Sequence, residues 1–324
     1  MTAYPATRMA MVVVAVCWMV TAALAQTPGN RLPLPLEPFG DANEAVYPVF
    51  EGWGATDDDS GYFILLGYKN RNRTQVVEIP IGPNNRIEPG GPDYGQPTVF
   101  QPGRQSSIFA IKVPKDFGTR KLTWTVVANG QPAVVTFYLH PEYNLNFYKE
   151  ESNGNEPPRM KLAPGDAMTR GPRAGFAQTL STRVGEPLPL RVWASDTPPT
   201  EKNWERIVSA QNRPKPRPIP RDQVAIVNGQ VIGNGGPSAR APAELPPDMT
   251  VTWTKMRGPG IVAISPPRVP LVTGGSREMV REASATATFS APGEYVLRVE
   301  PVELEDGFDG LCCVSFVNIQ VIVR

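Results

Sequence analysis

The amino-acid sequence predicts an all-β protein with two β-sandwich domains in tandem after a signal peptide. Val, Ile, Thr and aromatic residues concentrate in runs of about five to eight between clusters of Gly, Pro, Asn and Asp, which is typical of short strands joined by turns. Proline accounts for 37 of 324 residues, about twice its usual share of roughly 5%. Long helices are therefore poorly supported.

The first 25 residues have the features of a secretory signal peptide. Arg8 is their only charge, an apolar run covers 9–24, and Ala23-Leu24-Ala25 forms a small-x-small cleavage site before Gln26. The alternative is an uncleaved anchor, because the uncharged run is near the lower limit of about 17 residues for a bilayer span. We expect an exported protein, whether periplasmic, cell-surface or secreted, with no membrane span after leader cleavage.

The charge balance argues against a nucleic-acid or an anionic-membrane partner. Because the leader carries Arg8 and no acid, the remaining 299 residues hold 31 basic and 31 acidic side chains. A nucleic-acid or anionic-membrane surface would require a basic excess. We therefore expect no nucleic-acid partner, and a protein or polysaccharide of the cell envelope stays open.

The chain length and the turn-rich stretches predict two domains. In the strand at 121–128, Leu122, Trp124 and Val126 alternate with polar residues, and Asn129-Gly130 is a hairpin signal before the next strand. The predicted strands of the first domain are 46–51, 62–68, 75–81, 107–113, 121–128 and 133–139. The predicted organisation is a Pro-rich lead-in (26–45), a first sandwich (46–142), a linker (143–182) and a second sandwich (183–324) with a Pro-rich insert at 196–249.

Three motifs of the second half occur in a characteristic order. They are TVTWTK at 250–255, GPGIV at 258–262 and ATATFSAPGEYVLRV at 285–299. This stretch resembles a PKD-type, immunoglobulin-like domain, in which the Trp, here Trp253, lies in the core. The resemblance implies an immunoglobulin-like β-sandwich that serves as a spacer, adhesion or binding module without catalysis of its own. We expect both sandwiches to be immunoglobulin-like.

The strand at 293–299 predicts two faces. Tyr295, Leu297 and Val299 alternate with Val296 and Arg298, so the first set is expected to point inward and the second outward. The other strands predicted for this half are 188–194, 250–256, 284–289 and 314–323.

Two acidic loops are candidate calcium sites. Asp57, Asp58 and Asp59 precede a glycine just before a strand, and calcium takes six to eight oxygen ligands. Three adjacent Asp residues would point in different directions, however, so a solvated turn is the alternative. The second loop has the same two interpretations, and its carboxylates are Glu305, Asp306 and Asp309.

The stretch 82–104 is a candidate ligand surface. It is long and poor in apolar residues, and loops above about 12–15 residues in a compact domain are usually functional or disordered. Polar groups beside an exposed ring at Tyr94 or Phe100 are typical of sugar-binding sites, and the structural alternative is a loop that covers one end of the sandwich. The candidate ligand-binding residues are Tyr94, Gln96, Phe100 and Arg104.

Cys312 and Cys313 are a candidate redox pair. Adjacent Cα atoms are about 3.8 Å apart, below the usual disulfide range of roughly 4.4–6.8 Å, so an ordinary intradomain disulfide is excluded. One buried and one exposed thiol, a strained vicinal disulfide and an intermolecular bridge stay open.

No catalytic constellation is evident. His140 is the single histidine and no G-x-S-x-G occurs, so Ser-His-Asp chemistry lacks support. The predicted function is an exported, non-catalytic binding, adhesion or structural module of the bacterial envelope or secreted fraction, without a cofactor unless calcium binds. The alternative is a secreted carbohydrate-binding or hydrolytic protein that uses carboxylates of the first domain's loops.

Overall fold

The computed structural model describes residues 40–149, 155–197, 225–227, 230–232, 249–272, 279–303 and 315–324. Their regular structure is almost entirely β, with two 3-10 turns at Lys115–Phe117 and Pro141–Tyr143, so the all-β prediction is confirmed. The described ranges contain no α-helix that could span a bilayer. The predicted signal peptide and most of the Pro-rich insert lie outside the described residues. Asp41–Arg324 forms one compact unit.

Eight strands form the first sandwich. One sheet has the order β1-β2-β6, the facing sheet has the order β4-β7-β8, and β3 pairs with β5 in a two-residue ladder. All of these pairings are antiparallel. The strands are β1 (Val46–Ala55), β2 (Gly61–Asn70), β3 (Val77–Glu78), β4 (Asn85–Glu88), β5 (Val99–Phe100), β6 (Gly103–Pro114), β7 (Leu122–Ala128) and β8 (Gln131–Phe137).

The second sandwich has two five-stranded sheets, β10-β9-β12-β18-β16 and β11-β20-β19-β15-β17. The separate hairpin β13 (Ala225–Val227) and β14 (Gln230–Ile232) belongs to neither. The other strands are β9 (Glu156–Lys161), β10 (Thr169–Arg170), β11 (Gln178–Thr182), β12 (Leu188–Thr197), β15 (Met249–Arg257), β16 (Val262–Ser265), β17 (Arg268–Leu271), β18 (Arg281–Phe289), β19 (Gly293–Glu303) and β20 (Val317–Val323).

Both sandwiches have the strand order of an immunoglobulin domain. In that fold strands A, B and E are neighbours in one sheet, and strands G, F and C are neighbours in the other. The first sandwich places β1-β2-β6 against β8-β7-β4, and the second contains β9-β12-β18 and β20-β19-β15. Successive strands therefore take the same places in both halves, and the expectation of two immunoglobulin-like sandwiches is confirmed.

A tyrosine corner supports this assignment in the second sandwich. Tyr295 lies at the start of β19, and its hydroxyl donates to the carbonyl oxygen of Ala291 at 2.7 Å. Such a bond to backbone a few residues upstream is a hallmark of strand F in immunoglobulin domains. The Tyr295 ring lies against Gly258, where a Cβ atom would overlap it. The Gly-Pro-Gly motif and the Pro-Gly-Glu-Tyr motif of the sequence therefore meet at this corner.

The stretch 143–182 was expected to be a linker, but it contains β9, β10 and β11. β9 pairs with β12 over its length, whereas β10 covers only Arg159 and Met160 on its other side. Pro157 and Pro158 therefore lie where β9 has an open edge, and an edge tolerates residues without a backbone N–H. β9 escaped prediction because its prolines break the alternation on which a strand assignment depends, and β10 escaped because it is only two residues long.

Candidate functional site

The predicted calcium loop is the turn between β1 and β2. Its three carboxylates do not converge on one point where an ion could bind, because each has a different partner. This matches the expectation that adjacent Asp side chains point in different directions. The partners are Arg170 Nη2 for Asp57 (3.3 Å), the Ser60 hydroxyl for Asp58 (2.7 Å) and Lys115 Nζ for Asp59 (2.5 Å).

Hydroxyl groups stabilise the charged form of Asp58. Those of Thr56 and Ser60 hold the pKa of its carboxyl well below its usual range. Among the described residues, no group of three or more His, Cys, Asp or Glu is placed to hold a metal ion. The other candidates, Glu305, Asp306, Asp309, Cys312 and Cys313, lie outside the described residues. Calcium binding and redox activity stay predictions.

The stretch 82–104 is held by its own hydrogen bonds. Gln96 is fully buried, accepts from the Tyr94 backbone N–H at 2.8 Å and donates to the Pro92 carbonyl at 2.7 Å. Phe100 belongs to β5 and is also fully buried, with its ring centroid 4.9 Å from that of Tyr68. The expectation of an exposed ring at Phe100 is wrong, because its pairing with β3 turns the side chain into the core. These contacts hold this part of the stretch to the sandwich, and ligand binding by Tyr94 and Gln96 stays a prediction.

Arg104 stabilises the sheet β1-β2-β6. Its Nη2 lies 2.5 Å from Oε1 of Glu51, a buried carboxylate next to a β-bulge in β1. Both side chains pass over Gly67 of β2, where a Cβ atom would overlap them. The glycine therefore makes room for the ion pair. Sequence reasoning found Arg104 but could not find its partner, because Glu51 is distant in the chain.

The two sandwiches meet along a surface that we call the junction, formed by Asp93, Ser107, Met256, Arg257 and Arg298. Arg257 Nη1 and Nη2 lie 2.9 and 2.7 Å from the two carboxylate oxygens of Asp93. Such a bidentate Arg–carboxylate ion pair is among the stronger polar interactions in proteins. The Arg257 guanidinium also lowers the pKa of Asp93. The long loop of the first sandwich is thereby bound to β15 of the second.

A register shift in β15 directs side chains into the junction. The shift lies between Lys255 and Arg257 in the pairing with β19, and such bulges re-aim side chains. Met256 is buried and packs into the core of the first sandwich, and its carbonyl accepts from the Thr98 N–H at 3.0 Å. Lys255 Nζ lies 3.1 Å from Oε1 of Glu78. Three consecutive residues of one sandwich therefore contact the other.

Arg298 is the most deeply buried charge of the junction. Its side chain is 1% exposed, Nη1 donates to the Ser107 carbonyl at 2.5 Å, and Nη2 donates to Oε1 of Glu300 at 2.6 Å. The guanidinium carbon lies 3.9 Å from the centroid of the Phe316 ring. Ser107 has a φ of 49° and lies where the register between β2 and β6 is irregular. This irregular backbone presents the carbonyl that Arg298 binds.

An apolar cluster extends the junction. Phe63, Leu65 and Ala110 lie on the face of β2 and β6 that points away from the first core, and they pack with Phe147 and Phe316. Phe147 follows β8 and Phe316 precedes β20, so both sandwiches and the chain between them contribute. The outer face of this sheet is therefore partly covered.

Sequence reasoning missed the burial of Arg298. The outward direction was correct relative to its own sheet, but the first sandwich covers that face. One signal was present: Val296 shares the face and packs against the first core. A face with Val beside Arg is less polar than an exposed strand face usually is.

Comparisons with known proteins identify no family for this chain. No family model matches the chain, and no curated protein matches it. Two solved structures that it resembles are the D00-D0 domain of intimin and domains 4 and 5 of the S-layer protein SbsC. The first has 12% identity and a TM-score of 0.23, covering 86% of this chain and 100% of the other. The second has 10% identity and a TM-score of 0.19, covering 86% and 98%. With identities and TM-scores this low, neither likeness indicates what this chain does.

Proposed function

We propose that the chain is an exported, non-catalytic structural or adhesion module of a bacterial envelope or secreted fraction, with its two sandwiches acting as one rigid unit. The PKD-type assignment of 183–324 is part of this proposal. The observation that supports the rigid unit is the junction, where Arg298 of one sandwich is buried against the Ser107 carbonyl of the other, and export is proposed from the leader sequence.

Burial of Arg298 makes separation of the sandwiches costly. Domains within one chain move relative to each other by default unless their interface is extensive and apolar. Here Met256 enters the core of the first sandwich, and the apolar cluster covers part of the outer face of the sheet β1-β2-β6. Separation of the two sandwiches would expose these apolar residues to water and leave the Ser107 carbonyl without its hydrogen bond from Arg298. We therefore expect a fixed angle between the sandwiches, as a spacer requires.

The loops support a role without catalysis. Asp57 and Asp59 each pair with a cation, and Asp58 is hydrogen-bonded by Ser60. Carboxylates used for hydrolysis must instead face a substrate across a cleft. The three carboxylates of this acidic loop are therefore engaged in contacts within the protein, and they do not face each other across a cleft.

Rigidity is tested with a pair of spin labels, one on each sandwich. Exposed positions Asp116 and Arg183 are changed to Cys in a Cys312→Ser, Cys313→Ser background. We expect a narrow distance distribution by pulsed electron paramagnetic resonance, and a broader one when Arg298→Ala is added. A broad distribution without that substitution would contradict the rigid unit.

Export is tested by expressing the full chain with its leader in a Gram-negative host. We expect the protein in the periplasm or the medium, with Gln26 as its first residue. Retention in the cytoplasm with an intact leader would contradict export.

A further inference from the structure

A row of aromatic rings lies where the chain leaves β8. Tyr138 and Tyr143 pack edge-on against His140, with ring centroids 5.3 and 5.7 Å from the imidazole. The Tyr143 ring is also 5.2 Å from that of Phe50 on β1. We call Tyr138, His140 and Tyr143 the aromatic row. Tyr143 is 51% exposed, so one broad ring of the row is open to solvent.

The aromatic row is anchored to the sandwich beneath it. Phe50 packs on the fully buried Phe137, with centroids 6.0 Å apart. Trp53 Nε1 donates to the His140 carbonyl at 2.7 Å, and the Tyr143 N–H donates to the same carbonyl at 3.0 Å. The rings are therefore held before any ligand arrives, and a prearranged site loses less entropy on binding.

The row also offers hydrogen-bonding groups. The hydroxyls of Tyr138 and Tyr143 have no hydrogen-bond partner among the described residues. His140 Nδ1 accepts from the Glu142 backbone N–H at 3.2 Å, which places the proton of a neutral imidazole on Nε2. Nε2–H is then a donor. The row combines flat apolar rings with donors and acceptors at their edges.

One positive and one negative side chain lie beside the aromatic row. Lys121 Nζ lies 5.0 Å from the centroid of the Tyr138 ring, and Oε2 of Glu142 lies 4.0 Å from His140 Nδ1. One cation and one carboxylate do not favour a polyanion. A cationic ligand would compete with Lys121 for the Tyr138 face. An uncharged ligand fits best.

We propose that the aromatic row binds a neutral polysaccharide. A pyranose ring has an apolar C–H face that packs on an aromatic ring, and its hydroxyls can bond to the tyrosine hydroxyls and to His140 Nε2. Binding sites of this kind combine aromatic surface with a few polar groups that fix orientation. The inference deepens the proposed function, on which it depends for an encounter with an envelope or extracellular glycan.

The test is co-sedimentation of the exported chain, 26–324, with insoluble cellulose, chitin, xylan or peptidoglycan sacculi. The first three are neutral probes, and the sacculi represent an envelope source. We expect retention by at least one neutral probe, with little change in 0.5 M NaCl, because neutral sugars bind without screened charges. Loss of retention in salt, retention by the sacculi alone, or no retention by any probe would overturn the proposal.

Variants assign the binding to the row. Tyr143→Ala should weaken binding about tenfold or more, whereas Tyr143→Phe keeps the ring and most of the binding. Tyr47→Ala is the matched control, because Tyr47 is 42% exposed on β1 outside the row. If Tyr143→Ala is less stable than the wild type, Tyr138→Phe removes only a hydroxyl and should still weaken binding. Equal binding by wild type, Tyr143→Ala and Tyr138→Phe would overturn the proposal.

The spin-label distances test the rigidity of the two sandwiches independently of glycan binding. Either the rigid unit or the glycan site can therefore fail alone.

Discussion

The two sandwiches share a strand order but build their cores differently. In the first, Phe100 and Phe109 pack around Trp124 of β7, and the buried amide of Asn85 lies beside them. In the second, alternating aliphatic residues of β12, β18, β19 and β20 surround Trp253 of β15. The strand order therefore does not depend on which strand carries the large aromatic residue.

The two tryptophans differ in their hydrogen bonds. Trp124 Nε1 donates to Asn85 Oδ1 at 3.0 Å, and Asn85 Nδ2 donates to the carbonyls of Ile79 and Pro97. Trp253 Nε1 is buried and has no hydrogen-bond partner among the described residues. The first tryptophan joins the core to a long loop, whereas the second contributes mainly volume.

The largest loss of stability is expected on substitution of Arg298, because this residue couples the two sandwiches. Arg298→Ala should cost about 3–5 kcal/mol, because it leaves a buried network without its cation. We expect one unfolding transition to separate into two by differential scanning calorimetry.

Arg191→Ala is the control for Arg298→Ala. Arg191 pairs with Glu282 on the surface, and such exposed pairs contribute about 0–1 kcal/mol. Equal losses in the two variants would show that the junction does not couple the sandwiches.

The two tryptophans should differ in how much stability their replacement costs. Trp124→Phe should destabilise by about 1–3 kcal/mol more than Trp253→Phe, because only the former leaves a buried amide oxygen, that of Asn85, unpaired. Urea denaturation of both variants measures the difference. If Trp253→Phe were the more damaging, the hydrogen bond would not be what distinguishes the two cores.

The smallest effect concerns pH at the junction. The hydrogen bond from Arg257 lowers the folded-state pKa of Asp93 from 3.8, so this carboxylate contributes stability above about pH 3.8, and the contribution is lost as pH falls through the folded pKa. The difference in unfolding free energy between wild type and Asp93→Asn should be constant from about pH 6 to 4.5 and shrink below that.

The same experiment in an Arg257→Gln background is the control for the pH effect. Since Arg257 is the main cause of the lowered pKa, most of the pH-dependent difference should disappear there. A difference that persists unchanged would assign the effect to another group.

Much of the fold could be predicted because its signals are local. The alternation in 121–128 found β7 to within one residue, and the turn at Asn129-Gly130 placed β8 after it. The burial of Trp253, expected from the resemblance, is confirmed. The strand predicted at 75–81 shrinks to two paired residues, because its residues bond to side chains and loops instead of to a neighbouring strand.

The candidate site was less predictable. The residues of the aromatic row are close together in the sequence, but the contact of Tyr143 with Phe50 of β1 joins segments that are far apart in the chain. Phe100 looked like a loop residue because its own strand, β5, is only two residues long and shows no alternation. Ring contacts and short ladders depend on where distant segments meet, and residue type alone does not encode that.

The sequence by itself determined the all-β class, the alternating faces of the longer strands and the turns between them, since these follow from period-two patterning and from residues that favour turns. Tertiary structure decided which outward faces are covered. Arg298 and Ser107 are 191 positions apart, and only the folding of two complete sandwiches brings the cation to the carbonyl. A strand pattern defines two sides, but the surface packed against each side depends on the whole chain.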